Sequence, residues 1–233
     1  MKVVADARVV RLHGAASAVD GLVTPRKATV EQATGLTLVV ERSNAGKGLI
    51  DLVEARCDAA LAAASLETTV QAARAAGLSG ELPPDLRLHV VTTSEIVFVV
   101  HPSNRVRALT WEQLRAIHTG EVSSWKELGG DDRAITVYTD AAASATRGLV
   151  KRVVMGGQEY GAGARALEAV RLVNDAVAKD STGIGALGRE HVVSSVVVVV
   201  ESLRVERPLG LITVGPPTAA VRAVLEALGR LRA

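Results

Sequence analysis

Short apolar segments alternate with amphipathic helical segments along the first part of the chain. Alternating or Ala/Val-rich patterns predict strands at residues 8–13, 36–41 and 57–64, and helical patterns follow at 16–33, 48–55 and 66–76. The predicted strands lead into helices through small or polar turns. This alternation is typical of a mostly parallel sheet with helices on both faces. Ligands on such sheets bind at the carboxyl ends of the strands.

Two long apolar stretches occur later in the chain. The stretch from Leu88 to Asn104 is too long for one ordinary strand and is predicted as two strands in tandem, joined at residues 92–95. A second stretch, at 192–201, is predicted as one Val-rich strand, followed by another strand at 209–214. Such stretches indicate that the chain crosses into a second lobe and returns. We expect one lobe at 1–93 plus 197–233 and another at 94–196, with a ligand cleft between them and hinges near 92–97 and 194–198.

The remaining pattern gives shorter elements. Strands are predicted at 135–138 and 183–187, and helices at 164–178 and 216–231. A further helix is expected to begin after Thr110, because Thr110 and Gln113 have the spacing of a capping box. The fold class predicted for the whole chain is therefore α/β, with mixed sheets and helices on both faces.

Composition excludes several classes of protein. Apolar residues make up 48% of the 233 residues, yet no apolar segment approaches the ~18 residues that a membrane span needs. The net charge of +2 and the 2% of aromatic residues argue against a nucleic-acid partner. Cys57 is the only cysteine, and no histidines fall at metal-ligand spacings, so we expect neither a disulfide nor a metal or cofactor.

The N-terminal sequence is compatible with two compartments. The N-terminal sequence MKVVADARVV lacks the uninterrupted apolar core of a secretory leader. We expect either a periplasmic or extracytoplasmic protein whose leader is absent from this sequence, or a cytoplasmic protein.

Two glycine-rich segments resemble nucleotide-binding motifs without meeting their requirements. RSNAGKGL, residues 42–49, lacks the first glycine and the final hydroxyl residue of a phosphate-binding P-loop. GIGALG, residues 183–188, lacks the preceding strand and the following long helix of a dinucleotide site. No arrangement of a nucleophile with a general base is recognisable either. We therefore expect a binding protein and not an enzyme.

Strand-to-helix turns that present hydroxyl groups occur at three places. Ser17 lies near the start of the first helix, Ser43 precedes the second, and Ser144 and Thr146 begin a later one. The free N–H groups and the positive dipole of a helix start attract anions, and hydroxyl groups add donors. One such turn is most often only a helix cap. Three of them on one α/β scaffold predict an anion-binding site.

A long middle segment closely resembles the phosphate-binding proteins of ABC transporters, which have the periplasmic binding protein type II fold. The resemblance rests on IVFVVHPSNRVRALTWEQLRAIHTGEVSSWKELGGDDRAITVY, residues 96–138, and on the Ser144-Ala145-Thr146-Arg147 helix start that follows. SNAGKGLIDLVEARCDAA, residues 43–60, and STGIGALG, residues 181–188, add to it. Together these segments extend the resemblance over about Val9 to Arg232.

The resemblance implies a monomeric two-lobe receptor that closes on a tetrahedral oxyanion and delivers it to an ABC permease. It transfers the ligand positions of the family to Ala16, Ser17, Ser43, Asp58, Ser144, Ala145 and Thr146. Asp58, expected at the end of the third strand, would accept a hydrogen bond from a protonated ligand oxygen. Such an acceptor favours phosphate over sulfate, because a sulfate oxygen facing the carboxylate carries no proton and the two acceptor oxygens would oppose each other.

The sequence also departs from the family pattern. Ala145 replaces the usual glycine, and Thr139, Asp140 and Ala141 occupy the stretch where relatives commonly have an arginine. Candidates for the missing positive charge are His13, Arg42, Lys47 and Arg147. The alternative hypothesis is a sensor or interaction protein with the same fold that has lost tight phosphate binding or binds a different small ligand.

Overall fold

The computed structural model describes residues 8–141, 144–193 and 198–231. The chain divides into two compact units. Unit 1 contains the residues up to Ser94 and those from Arg207 onward, and unit 2 is Glu95–Glu206. The sequence pattern had placed the return to the first lobe at residue 197.

The elements alternate between strands and helices along most of the chain. The strands are β1 Val9–Ala15, β2 Thr37–Ser43, β3 Ala59–Ala62, β4 Leu86–Val100, β5 Thr136–Asp140, β6 Arg165–Leu167, β7 Gly183–Gly188 and β8 Val198–Val214. The α-helices are α1 Ala16–Ala18, α2 Lys27–Thr34, α3 Ala45–Val53, α4 Leu66–Ala75, α5 Trp111–Thr119, α6 Ala145–Leu149, α7 Arg171–Lys179 and α8 Ala219–Arg230. Turns of π-helix at Val19–Val23 and Val150–Val154 extend α1 and α6, and short 3₁₀-helices lie at Thr24–Arg26, Trp125–Leu128 and Arg189–His191.

Unit 1 is built on a mixed sheet. Its strand order is β2–β1–β3–β8–β4. Strand β1 pairs in parallel with both β2 and β3, whereas β3 pairs antiparallel with β8, where Ala60 lies opposite Ile212. The parallel part of the sheet therefore has its carboxyl ends on one edge, where the predicted ligand turns begin.

Helices cover both faces of this sheet. Alternate residues of β3 point to opposite sides, since Ala59 and Leu61 belong to one core and Ala60 and Ala62 to the other. The first core is closed by α2, α8 and the π-turn after α1, and the second by α3 and α4. The predicted helix at 16–33 is helical throughout, but Pro25 interrupts it with a 3₁₀ turn.

Unit 2 repeats the same plan with a different strand order. Strand β4 pairs antiparallel with β7, and β5 pairs in parallel with β7 on one side and β6 on the other. Phe98 of β4 faces a core shared with α5 and the π-turn after α6, while Val97 and Val99 face the core under α7. The predicted capping box is confirmed, because Thr110 and Gln113 exchange both hydrogen bonds at the start of α5.

Three predicted elements differ from the structure. The stretch predicted as two strands at 88–104 is the single strand β4, whose polar segment 92–95 contains the boundary between the units. Most of the helix predicted at 164–178 is present as α7, but its first turn is the edge strand β6, because pairing with β5 outweighs the helical propensity of Arg165–Leu167.

The third difference concerns the Val-rich strand predicted at 192–201. Residues 192 and 193 have no regular structure, and β8 starts at Val198 and continues without interruption to Val214. Residues 194–197, which include most of the second predicted hinge, lie outside the described residues. In the part of the chain that is described, each helix is too short or too polar to cross a bilayer.

Candidate anion-binding site

The carboxyl ends of β1 and β2 bring the first predicted ligand residues together. Ala15 lies opposite Ser43 in the parallel register, so Ala16 and Ser17 start their helix beside the end of β2. Ser17 is 7% exposed, and within the described part of the chain its hydroxyl makes no hydrogen bond. Ser17 and Ser43 therefore share one edge of the unit 1 sheet.

Two glycines allow helix α3 to pack closely against this edge. A Cβ atom at Gly48 would lie 2.5 Å from the Cα of Gly14, so the helix start and β1 are in backbone contact. Gly14 itself has φ of +143° and sits against the backbone of Leu61. Larger residues at either glycine would push the helix start away from the ends of β1 and β2.

The residue that caps α3 is Asn44, which is not among the predicted site residues. Its Oδ1 accepts a hydrogen bond of 2.8 Å from the backbone N–H of Lys47. The hydroxyl of Ser43 makes only a long contact of 3.4 Å with the carbonyl of Asn44. Asn directly before a run of helix-forming residues is an N-cap signal, and this signal was available in the sequence. Ser43 therefore remains available as a donor.

Asp58 does not lie at this edge, so the expectation for it was wrong. Strand β3 begins at Ala59, which places Asp58 at the amino end of the strand. Its carboxylate accepts a hydrogen bond of 2.7 Å from the backbone N–H of Arg11, and the side chain is exposed. Arg11 precedes Ala15 by four positions, a distance of about 13 Å along a strand. The carboxyl end of β3 carries Ala63, Ala64 and Ser65 instead.

The candidate cations of unit 1 are all paired with carboxylates. Arg42 contacts Asp20 at 2.7 Å, and Lys47 contacts Glu41 at 2.9 Å. The bond to Glu41 raises the pKa of Lys47 above its ordinary value. His13 is buried and lies 3.0 Å from Asp51. Arg42 and Lys47 balance acidic groups of their own unit, and the His13 ring is hydrogen-bonded to Asp51, so none of the three supplies the missing charge.

In unit 2, the predicted residues Ser144, Ala145 and Thr146 lie together at the carboxyl end of β5. Ser144 is the N-cap of α6, because its Oγ accepts from the backbone N–H of Thr146 at 3.2 Å. The same hydroxyl donates to the carboxylate of Asp140, the last residue of β5. Thr146 and Asp140 are buried, and Ala145 is half-buried. Residues 142 and 143 of the connecting turn lie outside the described residues.

Arg147 supplies a positive charge at this same turn. Its guanidinium carbon lies 4.3 Å from the ring centroid of Tyr160, and its Nη1 donates to the carbonyl of Asp140 at 3.3 Å. The Tyr160 hydroxyl donates in turn to the carbonyl of Arg147 at 3.4 Å. Among the described residues, Arg147 makes no ion pair with a carboxylate. It is therefore the predicted cation whose charge remains available for a ligand.

Tyr160 is suited to hold Arg147 because it stays neutral. Burial raises the pKa of Tyr160 to about 12, while hydrogen bonding with Thr139 and the charge of Arg147 act in the opposite direction. A neutral ring below a guanidinium gives a cation–π contact worth roughly 0.5–2 kcal/mol, depending on how far the cation is desolvated. The stacking fixes the direction of the guanidinium at the end of β5.

Comparison with known proteins places the chain in a family. Residues 5–215 match the family described as PBP superfamily domain. The phosphate-binding protein PstS of Bacillus subtilis is 32% identical over 71 residues, which is 30% of this chain and 24% of that protein. The chain thus aligns with about a quarter of the length of that curated relative.

Solved structures share the fold over nearly the whole chain. A phosphate ABC transporter substrate-binding protein with bound phosphate from Clostridium perfringens has a TM-score of 0.81 and 19% identity, with 94% of this chain and 92% of that chain covered. The CcmR regulatory domain of Synechocystis in complex with 2-PG has a TM-score of 0.68 and 12% identity, with 96% of each chain covered. The match over residues 5–215 establishes the family, and the chain belongs to the PBP superfamily domain family, as its sequence resemblance predicted.

Proposed function

We propose that this protein is a solute-binding protein that captures phosphate or a related tetrahedral oxyanion for uptake by an ABC transporter. The family membership, the alignment with a phosphate-binding protein and the fold shared with a phosphate-bound receptor support this proposal. The observation that carries it is Arg147, a cation without a carboxylate partner among the described residues, held at a helix start beside Ser144 and Thr146.

Each unit offers donors suited to oxyanion oxygens. In unit 1, the hydroxyls of Ser17 and Ser43 lie at the carboxyl edge of the sheet, together with the first N–H groups of α3. In unit 2, the N–H groups at the start of α6 lie beside the Arg147 guanidinium. A guanidinium can donate two parallel hydrogen bonds to one anion, which gives both charge and orientation.

Asp140 takes the place of Asp58 as the candidate acceptor in this proposal. It is buried at the end of β5 and is linked to Ser144 by a hydrogen bond. A carboxylate beside an anion is tolerated when the facing ligand oxygen carries a proton, as in monohydrogen phosphate. It opposes a fully ionised oxyanion such as sulfate, because neither oxygen can donate.

The proposal extends to the partners and compartment of the protein. A receptor of this kind works as a monomer outside the cytoplasm and passes its ligand to a membrane permease.

Replacement of Arg147 tests the proposal. Arg147→Met retains most of the apolar stem and removes the charge, and we expect phosphate affinity to fall by about ten- to a hundredfold, equivalent to about 1.5–3 kcal/mol. Arg105→Met is the matched control, since the Arg105 side chain is 79% exposed in the same unit and its ion pair is with Asp131 at 3.5 Å. Isothermal titration calorimetry of both variants and the wild type gives the comparison. Equal phosphate affinities in all three proteins would reject Arg147 as the anion-binding cation.

The sensor hypothesis remains the second candidate. Its specific support is the buried Asp140 carboxylate at the proposed ligand edge, which opposes binding of any fully ionised anion. The fold is also shared with a regulatory domain. This hypothesis predicts that the wild type shows no saturable phosphate binding. Saturable binding that weakens in Arg147→Met would reject it.

A further inference from the structure

A second cluster of polar side chains lies in unit 1, on the face of the sheet covered by α3. His13 of β1 and Glu41 of β2 are register partners, so their side chains emerge side by side from the same face. Asp51 of α3 packs onto this pair from above. The side chains of His13 and Asp51 are 11% and 4% exposed, whereas that of Glu41 is 47% exposed and keeps one side of the cluster open to solvent.

We propose that His13, Glu41 and Asp51 form a binding site for a divalent transition-metal ion of the Zn²⁺ class. His13 Nδ1 lies 3.0 Å from Asp51 Oδ2 and 3.7 Å from Glu41 Oε2, and the possible ligand atoms of all three residues lie within 4.8 Å of one another. Metal–ligand bonds of about 2.0–2.2 Å set neighbouring ligand atoms about 3.0–3.6 Å apart. The two distances from His13 Nδ1 are thus close to the separations that coordination requires.

Two cations hold the outer oxygens of the carboxylates. Arg56 donates to Asp51 Oδ1 at 2.6 Å, and Lys47 contacts Glu41 Oε1 at 2.9 Å, so the other oxygen of each carboxylate is directed to His13. Partners of this kind orient metal ligands in many sites.

The chemistry of the three possible ligand atoms favours one class of metal ion. One imidazole nitrogen and two carboxylate oxygens suit Zn²⁺ and similar first-row ions, whereas Mg²⁺ and Ca²⁺ prefer oxygen ligands alone. The solvent-exposed side of Glu41 leaves room for a water molecule as fourth ligand. Arg56 and Lys47 already balance the two carboxylates, so the ion binds less tightly than at an unbalanced site.

The alternative interpretation of this cluster is a purely structural ion-pair network in which His13 bridges the two carboxylates. The two interpretations differ in what Zn²⁺ does to the protein. A metal that binds three elements of the folded chain raises thermal stability in proportion to the logarithm of its concentration. A structural network gives no such response. This proposal does not depend on the proposed anion-binding function.

Titration with ZnCl₂ tests the proposal on chelator-treated full-length protein in phosphate-free buffer. We expect one Zn²⁺ per chain, a rise in melting temperature on addition of ZnCl₂, and a loss of affinity of about tenfold or more in Glu41→Gln. Glu41 is the variant of choice because it is exposed, whereas Asp51→Asn leaves Arg56 beside a neutral amide and can unfold the unit.

His101→Gln is the matched control. His101 is a partly exposed histidine of unit 2 that contacts Ser103 at 2.7 Å and belongs to no cluster of metal-ligating side chains among the described residues. Its replacement should leave Zn²⁺ affinity unchanged. The proposal is overturned if the wild type binds no Zn²⁺, if Glu41→Gln binds it as tightly as the wild type, or if His101→Gln loses affinity as Glu41→Gln does.

Discussion

Asp58 and Asp140 show that the position of a carboxylate on its strand decides whether it can meet a ligand. Both residues flank a strand with a parallel neighbour, but Asp58 precedes β3 and Asp140 ends β5. Only carboxyl ends of strands collect ligands on such sheets. Asp58 is held by the backbone N–H of Arg11, whereas Asp140 is linked to the cap residue Ser144.

Asp140→Asn is expected to weaken discrimination between phosphate and sulfate. The amide can donate to an unprotonated oxygen, so the penalty against sulfate falls and the ratio of the two affinities decreases. Asp58→Asn is the matched control, with the same chemical change at the opposite end of a strand, and it should leave the ratio unchanged. Calorimetric titration with both anions measures the ratio. A decrease in Asp58→Asn alone would restore Asp58 to the site and remove Asp140.

His118 makes the stability of unit 2 sensitive to acid. It is 1% exposed, its Nδ1 lies 2.7 Å from the carbonyl of Leu114, and its ring packs edge-on against Phe98 and Tyr160. Burial lowers the pKa of His118 from 6.5 to about 4, while the bond to Leu114 acts in the opposite direction. The folded protein thus binds this proton more weakly than the unfolded chain. The neutral side chain contributes stability above pH 6.5 that is lost as the pH falls towards 4.

The expected loss is about 3 kcal/mol between pH 6.5 and pH 4. His118→Gln has no titrating group in this range, so its free energy of unfolding should depend less steeply on pH. Urea denaturation of both proteins at several pH values measures the two slopes. Parallel slopes would show that His118 is not the acid-sensitive group.

At the scale of elements, the end of α3 carries local strain that a glycine would relieve. The N–H of Arg56 bonds to the carbonyl of Asp51 at 2.7 Å and that of Ala55 to Leu52 at 3.0 Å, the pattern of a Schellman motif. Ala55 has φ of +55°, in the left-handed region where most helices have glycine. This turn folds Arg56 back onto Asp51.

Ala55→Gly is therefore expected to stabilise the protein by about 0.5–1 kcal/mol. Ala75→Gly, at the exposed last residue of α4 with an ordinary helical conformation, should destabilise it by a similar amount. Chemical denaturation of the two variants gives opposite shifts of the midpoint. A destabilised Ala55→Gly variant would contradict the assignment of strain to this residue.

Local patterns predicted many of the elements, and long-range pairing decided those that they missed. The Thr110 capping box and the apolar strand at 183–187 depend on neighbouring residues, so the sequence contains the signal. The edge strand β6 has helix-forming residues and exists because β5 pairs with it. The run CDAALAAA was predicted as a strand at 57–64, which puts Asp58 near its amino end, so Asp58 was misplaced by the transfer of a family ligand position and not by the strand pattern.

In the molecule as a whole, local sequence predicts some features of the candidate site, and the fold determines the others. The three strand-to-helix turns with hydroxyls were predictable, because caps and strand ends are local features. The sequence alone could not select Arg147 from the four candidate cations. That selection depends on which of the four side chains contact a carboxylate from another part of the same unit. The cluster of His13, Glu41 and Asp51 has no sequence spacing that marks it, since its members come from three elements.

The resemblance to phosphate receptors implies that the lobes close when an anion binds, and this closure remains a prediction. Strand β4 passes from one unit to the other between Ser94 and Glu95, within the segment predicted as the first hinge. We expect saturating phosphate to lower the radius of gyration in small-angle X-ray scattering. An unchanged radius at saturation would argue against closure.

Calorimetric titration of the wild-type protein measures whether it binds an oxyanion. Phosphate-stripped protein is titrated calorimetrically with phosphate and, in parallel, with sulfate, arsenate, molybdate and tungstate. We expect saturable binding of phosphate at one site per chain, at micromolar affinity or tighter and with weaker binding of sulfate. Absence of binding to all five anions would contradict this expectation, and the fold would then serve a different ligand or a protein partner.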